Sequence, residues 1–247
     1  MTEVLLVYAV ITAITAGVTW LPNLLPGMSE YVSLVVGAAF LWVAVRMARR
    51  EPGGMRRMGI DLGGLLEPPD PDDERPPGPL GLYDLARAIR KGLPSAGLEI
   101  AVAVGVAAVV FPPFVVGFYY WHAPTHPFEL RLPDDFAEMA LTQLLVVALP
   151  EEAFFRGYVQ TRLGDRWAWK PSWTGGLIDP RVLAIQAALF ALIHFASIPH
   201  PARLAVFFPA LLFGVLRAWR GGIGAAMLLH ALSNVLAELL EKGFHLS

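Results

Sequence analysis

The sequence predicts an all-α fold, specifically a polytopic transmembrane helical bundle of about seven spans. Hydrophobic residues make up 55% of the chain and charged residues only 16%, whereas soluble domains carry about 25% charged residues. The apolar residues are gathered into seven blocks, and a block of roughly 20 apolar residues is long enough to cross a lipid bilayer. These observations together indicate a multi-pass membrane protein.

Prolines, arginines and polar loops separate the apolar blocks. Pro22 and Pro26 follow the first block, and an arginine-rich run follows the second. The third block contains Pro112 and Pro113, which should kink or break the helix because proline removes a backbone hydrogen bond. The first block lacks the flanks of a cleaved signal peptide, so we expect it to be retained. The predicted spans are residues 4–21, 31–47, 97–121, 136–163, 182–198, 203–217 and 223–240.

Basic residues are distributed unevenly between the two ends of the predicted bundle. Alternation of the spans places segments 46–95, 162–181 and 217–222 on one side, and they hold 15 of the 19 lysines and arginines. Because basic residues accumulate on the cytoplasmic side of membrane proteins, we expect a cytoplasmic N-terminus. The Ala-, Arg-, Gly- and Pro-rich composition is typical of a bacterial protein, so the expected location is the inner membrane.

The sequence also predicts three regions along the chain: an N-terminal transmembrane hairpin (1–51), a cytoplasmic linker rich in proline and aspartate (52–94) and a C-terminal transmembrane domain (95–247). For the third region we expect a catalytic role from the polar residues within its spans. Residues 67–79 contain too many prolines and carboxylates to form a packed core, so we expect this stretch to be mobile. Residues 82–93 form a short amphipathic helix that lies on the membrane surface or connects the two regions in solvent.

Several kinds of chemistry are excluded or not favoured by the sequence. The chain has no cysteine, so disulfides, cysteine nucleophiles and thiolate metal sites are excluded. A net charge of −2 without a basic tail does not indicate a nucleic-acid partner. Neither the G-x-S-x-G motif of serine hydrolases nor the H-E-x-x-H motif of zinc proteases is present.

The fourth block contains three ionisable residues, Glu151, Glu152 and Arg156. Each costs about 2.5–3.5 kcal/mol or more within a membrane, and such groups usually mark function. Glu152 and Arg156 are four residues apart and can pair on one helix face, whereas Glu151 has no cation at that spacing. Glu151 is therefore a candidate for chemistry. The alternative is a solvated interfacial cluster, since Arg162 and Arg166 follow.

Two later blocks contain polar residues of their own. His194 lies among apolar residues in the fifth block, and His230 and Asn234 lie one helical turn apart in the seventh. A single histidine on an apolar helix is more often a hydrogen-bonded core residue than a catalytic one. His230 and Asn234 could equally form a polar clamp between helices. Because burial favours the meeting of all three polar clusters, we expect them to share one water-filled cavity.

A carboxylate beside an imidazole can deprotonate water as a general base, and a second imidazole with an amide donor can stabilise an oxyanion. This combination fits hydrolysis of an acyl bond by direct attack of water. A Glu/His/His set could instead bind zinc, although the residues lack a tight local metal motif. A transporter or channel that uses the same groups as a proton path is a third possibility.

These residues resemble the motifs of the CAAX protease and bacteriocin-processing family of glutamic-type intramembrane proteases. The E-E-x-x-x-R motif is matched by Glu151, Glu152 and Arg156. The F-x-x-x-H motif is matched by Phe190 and His194, and the H-x-x-x-N/D motif by His230 and Asn234. The resemblance implies that Glu151 is the general base and His194 its partner in holding water. It further implies that His230 and Asn234 form the oxyanion hole, that Glu152 and Arg156 organise the site, and that no metal or other cofactor is needed.

The resemblance covers about residues 136–240 and implies an endopeptidase that acts on a membrane-anchored protein or peptide. Within the family, C-terminal anchor processing or sorting, as in myxosortases, fits a bacterial chain better than trimming of prenylated proteins. A non-proteolytic immunity or binding protein of the same family is the remaining alternative.

Overall fold

Helices form all the regular secondary structure of the described chain. The computed structural model describes residues 1–61, 82–167 and 177–246, and no strand occurs within these ranges. The all-α prediction is confirmed. The α-helices of the described ranges are α1 (Thr2–Trp20), α2 (Val32–Ala48), α3 (Gly54–Arg57), α4 (Leu82–His122), α5 (Phe136–Thr142), α6 (Leu149–Glu152), α7 (Gln160–Trp167), α8 (Pro180–Ser197), α9 (Phe207–Arg220) and α10 (Gly224–Gly243).

Five segments of the described chain are long and apolar enough to cross a membrane, and they coincide with five of the predicted spans. The fourth and seventh predicted blocks are also helical, as residues 136–167 and α10. These two blocks carry most of the candidate site residues, whose polar side chains lower the hydropathy of both. The five segments are Thr2–Asn23, Pro26–Ala48, Gly92–His122, Pro180–Ser197 and Pro201–Arg220.

Helix α4 is longer than predicted. It continues without interruption through Pro112 and Pro113, so the paired prolines do not break the helix. Membrane helices tolerate proline because local adjustments satisfy the carbonyl groups that the proline leaves free. The amphipathic helix predicted at residues 82–93 is the first part of α4. The predicted mobile stretch, residues 67–79, lies outside the described residues.

The candidate glutamates lie in a helical stretch, residues 136–167, in which two π-helical segments flank the short helix α6. The segments are Gln143–Ala148 and Ala153–Val159. Pro150 offers a physical reason, since its ring would clash with the carbonyl of Val146 in a regular α-helix. Helix α2 packs closely at this carbonyl, where a Cβ atom on Gly37 would lie 2.3 Å from the oxygen. Such π-helical interruptions are frequent at functional sites.

The N-terminal hairpin packs into the same apolar core as the helices that carry the site. The ring of Phe40 in α2 lies 5.2 Å from that of Phe154 and 5.8 Å from that of Phe155. In α1, the hydroxyl of Tyr8 donates a hydrogen bond to the carbonyl of Leu189 in α8 over 2.9 Å. The hairpin is therefore anchored against α6, α8 and the π-helical turn between α6 and α7.

The chain after α2 returns into the bundle. Met58 and Ile60 are fully buried. The carbonyl of Gly59 accepts a hydrogen bond from the amide of Ile223 over 3.0 Å, and Arg217 donates to the Arg57 carbonyl over 3.0 Å. The first residues of the predicted linker thus pack against the turn between α9 and α10. The division of the chain into three regions stays a prediction.

Candidate active site

Three of the predicted site residues meet at one point between α6, α8 and α10. The Oε2 atom of Glu151 lies 3.9 Å from Nε2 of His194 and 3.8 Å from Nε2 of His230. The side chains are mostly buried, with exposed fractions of 15% for Glu151, 22% for His194 and 7% for His230. This Oε2 atom is buried and accepts no hydrogen bond from any described residue, so one carboxylate oxygen is open to a small polar molecule.

Glu152 faces away from this point and lies between two partners. Its Oε1 atom is 2.9 Å from Nη1 of Arg156, in the ion pair that the spacing predicts, and 2.9 Å from Nδ1 of His230. Glu152 and Arg156 have no exposed side-chain surface. Because a buried charge is costly unless it is paired, each needs the other, and Glu152 links α6 to α10. The contact with His230 has no counterpart in the sequence analysis.

Two phenylalanines enclose this buried group. The guanidinium of Arg156 lies 4.4 Å from the ring centre of Phe190 and 5.2 Å from that of Phe213, within the range of cation–π attraction. His230 stacks on Phe213 at 5.0 Å. Phe190 belongs to a recognised motif, but sequence reasoning missed Phe213, because an aromatic residue in an apolar block is indistinguishable from an ordinary core residue.

Hydrogen bonds define which nitrogen of each imidazole carries a proton. Nδ1 of His194 lies 2.8 Å from the carbonyl oxygen of Phe190. A carbonyl oxygen can only accept, so this nitrogen donates, and the Nε2 atom of a neutral ring is an acceptor. Nδ1 of His230 likewise donates to the Glu152 carboxylate. The Nε2 atoms of both rings, on the side opposite these hydrogen bonds, face Oε2 of Glu151.

Asn234 lies one turn beyond His230 in α10 and is fixed by a residue that the sequence analysis missed. Its Nδ2 atom donates a hydrogen bond to Oε1 of Gln143 over 2.9 Å. Gln143 lies about two turns before Glu151 in the same helical stretch. Gln143 carries no charge, so it does not stand out among the ionisable residues of the spans. A polar glutamine in an apolar block is nevertheless unusual and was the available signal.

A cavity of about 500 Å³ is lined by Gln143, Glu151, His194, His230 and Asn234, and this volume is within the usual range of ligand-binding pockets. Its wall becomes charged toward the C-terminal end of α10, where Glu238, Glu241 and Lys242 lie. In the described part of the chain, no group of three or more His, Cys, Asp or Glu side chains is arranged to hold a metal ion. The residues that carry the chemistry of the cavity are Gln143, Glu151, His194, Arg203, His230, Ser233 and Asn234.

The fold and the site define a multi-pass membrane protein with a carboxylate and two histidines among its helices. Residues 133–236 match the family model of the type II CAAX prenyl endopeptidase Rce1-like proteins. This match confirms the resemblance to the CAAX protease and bacteriocin-processing family. No curated protein and no solved structure matches the chain.

The matched segment contains every candidate site residue, from Glu151 to Asn234. The match supports an intramembrane endopeptidase of the CAAX type in general, with a membrane-embedded peptide or protein as its substrate.

Proposed function

We propose that this protein is a glutamic-type intramembrane endopeptidase, in which Glu151 and His194 activate a water molecule that attacks a peptide bond. The position of the Glu151 Oε2 atom carries the proposal. Its distances of 3.9 and 3.8 Å to the two Nε2 atoms are too long for direct hydrogen bonds. They match a water molecule held between the three atoms, as polar contacts beyond about 3.5 Å often are.

In this arrangement the water donates one hydrogen to Glu151 and the other to the unprotonated Nε2 of His194. Glu151 then takes a proton, and the oxygen attacks the carbonyl carbon of the scissile bond, which forms a tetrahedral oxyanion. Collapse of this species breaks the C–N bond, and Glu151 returns the proton to the leaving nitrogen. No covalent link between protein and substrate forms.

His230 and Asn234 are the proposed donors to the oxyanion. Nδ1 of His230 already donates to Glu152, so Nε2 can donate only when the ring carries both protons. The Glu152 carboxylate, 2.9 Å from Nδ1, holds the ring in this orientation. Asn234 uses one amide hydrogen on Gln143 and retains a second for the oxyanion. Glu152 and Gln143 act as positioning residues in this scheme.

The larger cavity lies toward one end of the bundle. The cavity is lined by Arg203, before α9, and by Lys242, at the end of α10. The contact between Gly59 and Ile223 lies at the other end of these helices, where α9 ends and α10 begins. Gly59 comes directly after Arg56 and Arg57 of the arginine-rich segment, which the positive-inside rule places on the cytoplasmic side. The cavity, near the other end of α10, therefore lies toward the side away from the cytoplasm. We therefore favour C-terminal anchor processing or sorting at the outer face of the bacterial inner membrane, as in myxosortases.

The description of the matched family supports a second candidate, a prenyl-protein endopeptidase. The two candidates differ in the covalent structure of the substrate, so identification of the cleaved chains distinguishes them.

The test compares membranes from cells that carry the wild-type chain or the Glu151→Gln variant. The measurement is mass spectrometry of protein termini. We expect a set of new carboxyl termini that the wild-type chain produces and that are absent from Glu151→Gln and His194→Ala cells. Glu138→Gln, an exposed glutamate of the same helical stretch, is the matched control and should leave the set intact. Retention of all termini in Glu151→Gln cells would refute the mechanism and favour a binding or immunity role.

A further inference from the structure

A second, smaller cavity of about 230 Å³ lies between the N-terminal hairpin and the helices of the matched segment. Its wall is built from α1, α2, residues 146–151 and the C-terminal end of α8. It shares Val147, Glu151, His194 and Arg203 with the larger cavity. Glu151 and His194 therefore stand where the two cavities meet, and a substrate chain held at these residues has space on both sides.

Hydroxyl groups give the second cavity its chemistry. Thr15 and Thr19 contribute from α1, Ser33 from α2 and Ser197 from α8. Thr15 is 7% exposed, and its Oγ1 atom makes no hydrogen bond to any described residue. A buried polar group without a partner is costly, so a hydrogen-bonding group in the cavity would lower the free energy of the bound state. The same argument does not apply to Ser197, which donates to the Ile193 carbonyl over 2.9 Å.

The two cavities differ in charge. Beyond the shared residues Glu151, His194 and Arg203, the lining of the second cavity contains no ionisable side chain among the described residues. The larger cavity adds Glu238, Glu241 and Lys242. Away from these shared residues, a charged substrate residue would lose hydration without gaining a charged partner, whereas a small uncharged residue would find hydrogen-bonding hydroxyls.

We propose that the second cavity is a substrate subsite, in which α1 and α2 bind an extended, uncharged stretch on one side of the scissile bond. Thr15 donates a hydrogen bond to this stretch, and the remainder of the chain lies in the larger, charged cavity. The N-terminal hairpin, outside the segment that matches the family, is then part of the substrate site. This inference rests on the proposed peptidase function and adds its specificity.

Two pairs of variants in the full-length chain test the subsite, with the terminal profile of the cell membranes as the measurement. Ser33→Trp places a large ring in the cavity from an exposed position. Its control is Leu34→Trp, since Leu34 is also exposed but lines neither cavity. Thr15→Val removes the hydroxyl and keeps the shape. Its control is Thr12→Val, one turn earlier in α1 and outside both cavities.

We expect Ser33→Trp to lower the abundance of the Glu151-dependent termini by about tenfold or more, because overpacking removes the space for substrate. Thr15→Val should lower it by about two- to tenfold, the effect of one hydrogen bond, and both controls should match the wild type. The melting temperature and membrane content of each variant identify any loss through misfolding. If Ser33→Trp misfolds, the result for Thr15→Val alone tests the subsite.

The outcomes separate the subsite from the mechanism. If Glu151→Gln removes the termini while Thr15→Val and a folded Ser33→Trp behave like their controls, the subsite is overturned and the proposed function stands. If Glu151→Gln leaves the termini unchanged, the proposed function fails and the subsite fails with it.

Discussion

Substitution of Glu152 by glutamine should destabilise the protein far more than the same substitution at the neighbouring Glu151. Glu152→Gln removes the negative charge between Arg156 and His230, and Arg156 then remains as a fully buried cation without its ion-pair partner. Loss of one partner of a buried ion pair costs about 3–5 kcal/mol. Among the described residues, Glu151 has no ion-pair contact shorter than 3.8 Å, and its side chain is 15% exposed. Glu151→Gln should therefore cost about 1 kcal/mol or less.

Thermal unfolding of the purified full-length chain in detergent, followed by tryptophan fluorescence, measures this difference. For a chain of this size, 1 kcal/mol shifts the melting temperature by about 2–4 °C, so Glu152→Gln should melt about 6–20 °C below the wild type. The double variant Glu152→Gln/Arg156→Gln should recover part of the loss, because neither charge is then left unpaired. A Glu152→Gln protein that melts within about 2 °C of the wild type would show that the buried pair does not hold these helices together.

Three further predictions concern packing and metal dependence. Gly37→Ala should cost about 1–3 kcal/mol, because the new Cβ would lie 2.3 Å from a backbone oxygen of the facing helix. The control is Gly17→Ala, which has open space around it and should stabilise α1 by up to about 1 kcal/mol. Equal melting temperatures of the Gly37→Ala and Gly17→Ala proteins would contradict the close packing of α2. Gly59→Ala should be more destabilising than Gly53→Ala in the same assay: both glycines have positive φ, but only Gly59 would also clash with the α9–α10 turn. Cleavage should survive removal of divalent metals by a chelator, and activity that disappears on chelation and returns with zinc would refute the metal-free mechanism.

The positions of the helices were predictable because membrane insertion depends on local sequence. A block of apolar residues forms a helix in lipid, where its backbone groups have no other hydrogen-bond partners. The predicted fourth block, 136–163, and the helical stretch 136–167 begin at the same residue. The paired prolines of α4 do not break the helix, and the predicted kink at Pro112 and Pro113 stays a prediction.

The Glu152–Arg156 pair was also predictable, since residues four apart on a helix share a face whatever surrounds them. His230, in contrast, reaches Glu152 from 78 positions away in the chain, and no local spacing indicates that contact. The cost of burying polar groups predicts that the polar residues of three blocks share one cavity. Burial alone does not indicate which atoms of these residues face one another.

By itself, the sequence determined the all-α membrane fold, the helical blocks and the order of the polar motifs, because each depends on local hydropathy or spacing. Only the tertiary structure decided the distances around Glu151, the contacts of Phe213 and Gln143, and the contribution of α1 and α2 to a second cavity. The physical reason is that local hydropathy does not define how each helix is rotated about its own axis. Helices that are apolar on every side, such as α1 and α2, have no periodic pattern that selects an inward face, so only packing against their neighbours directs Thr15 and Gly37 toward the site.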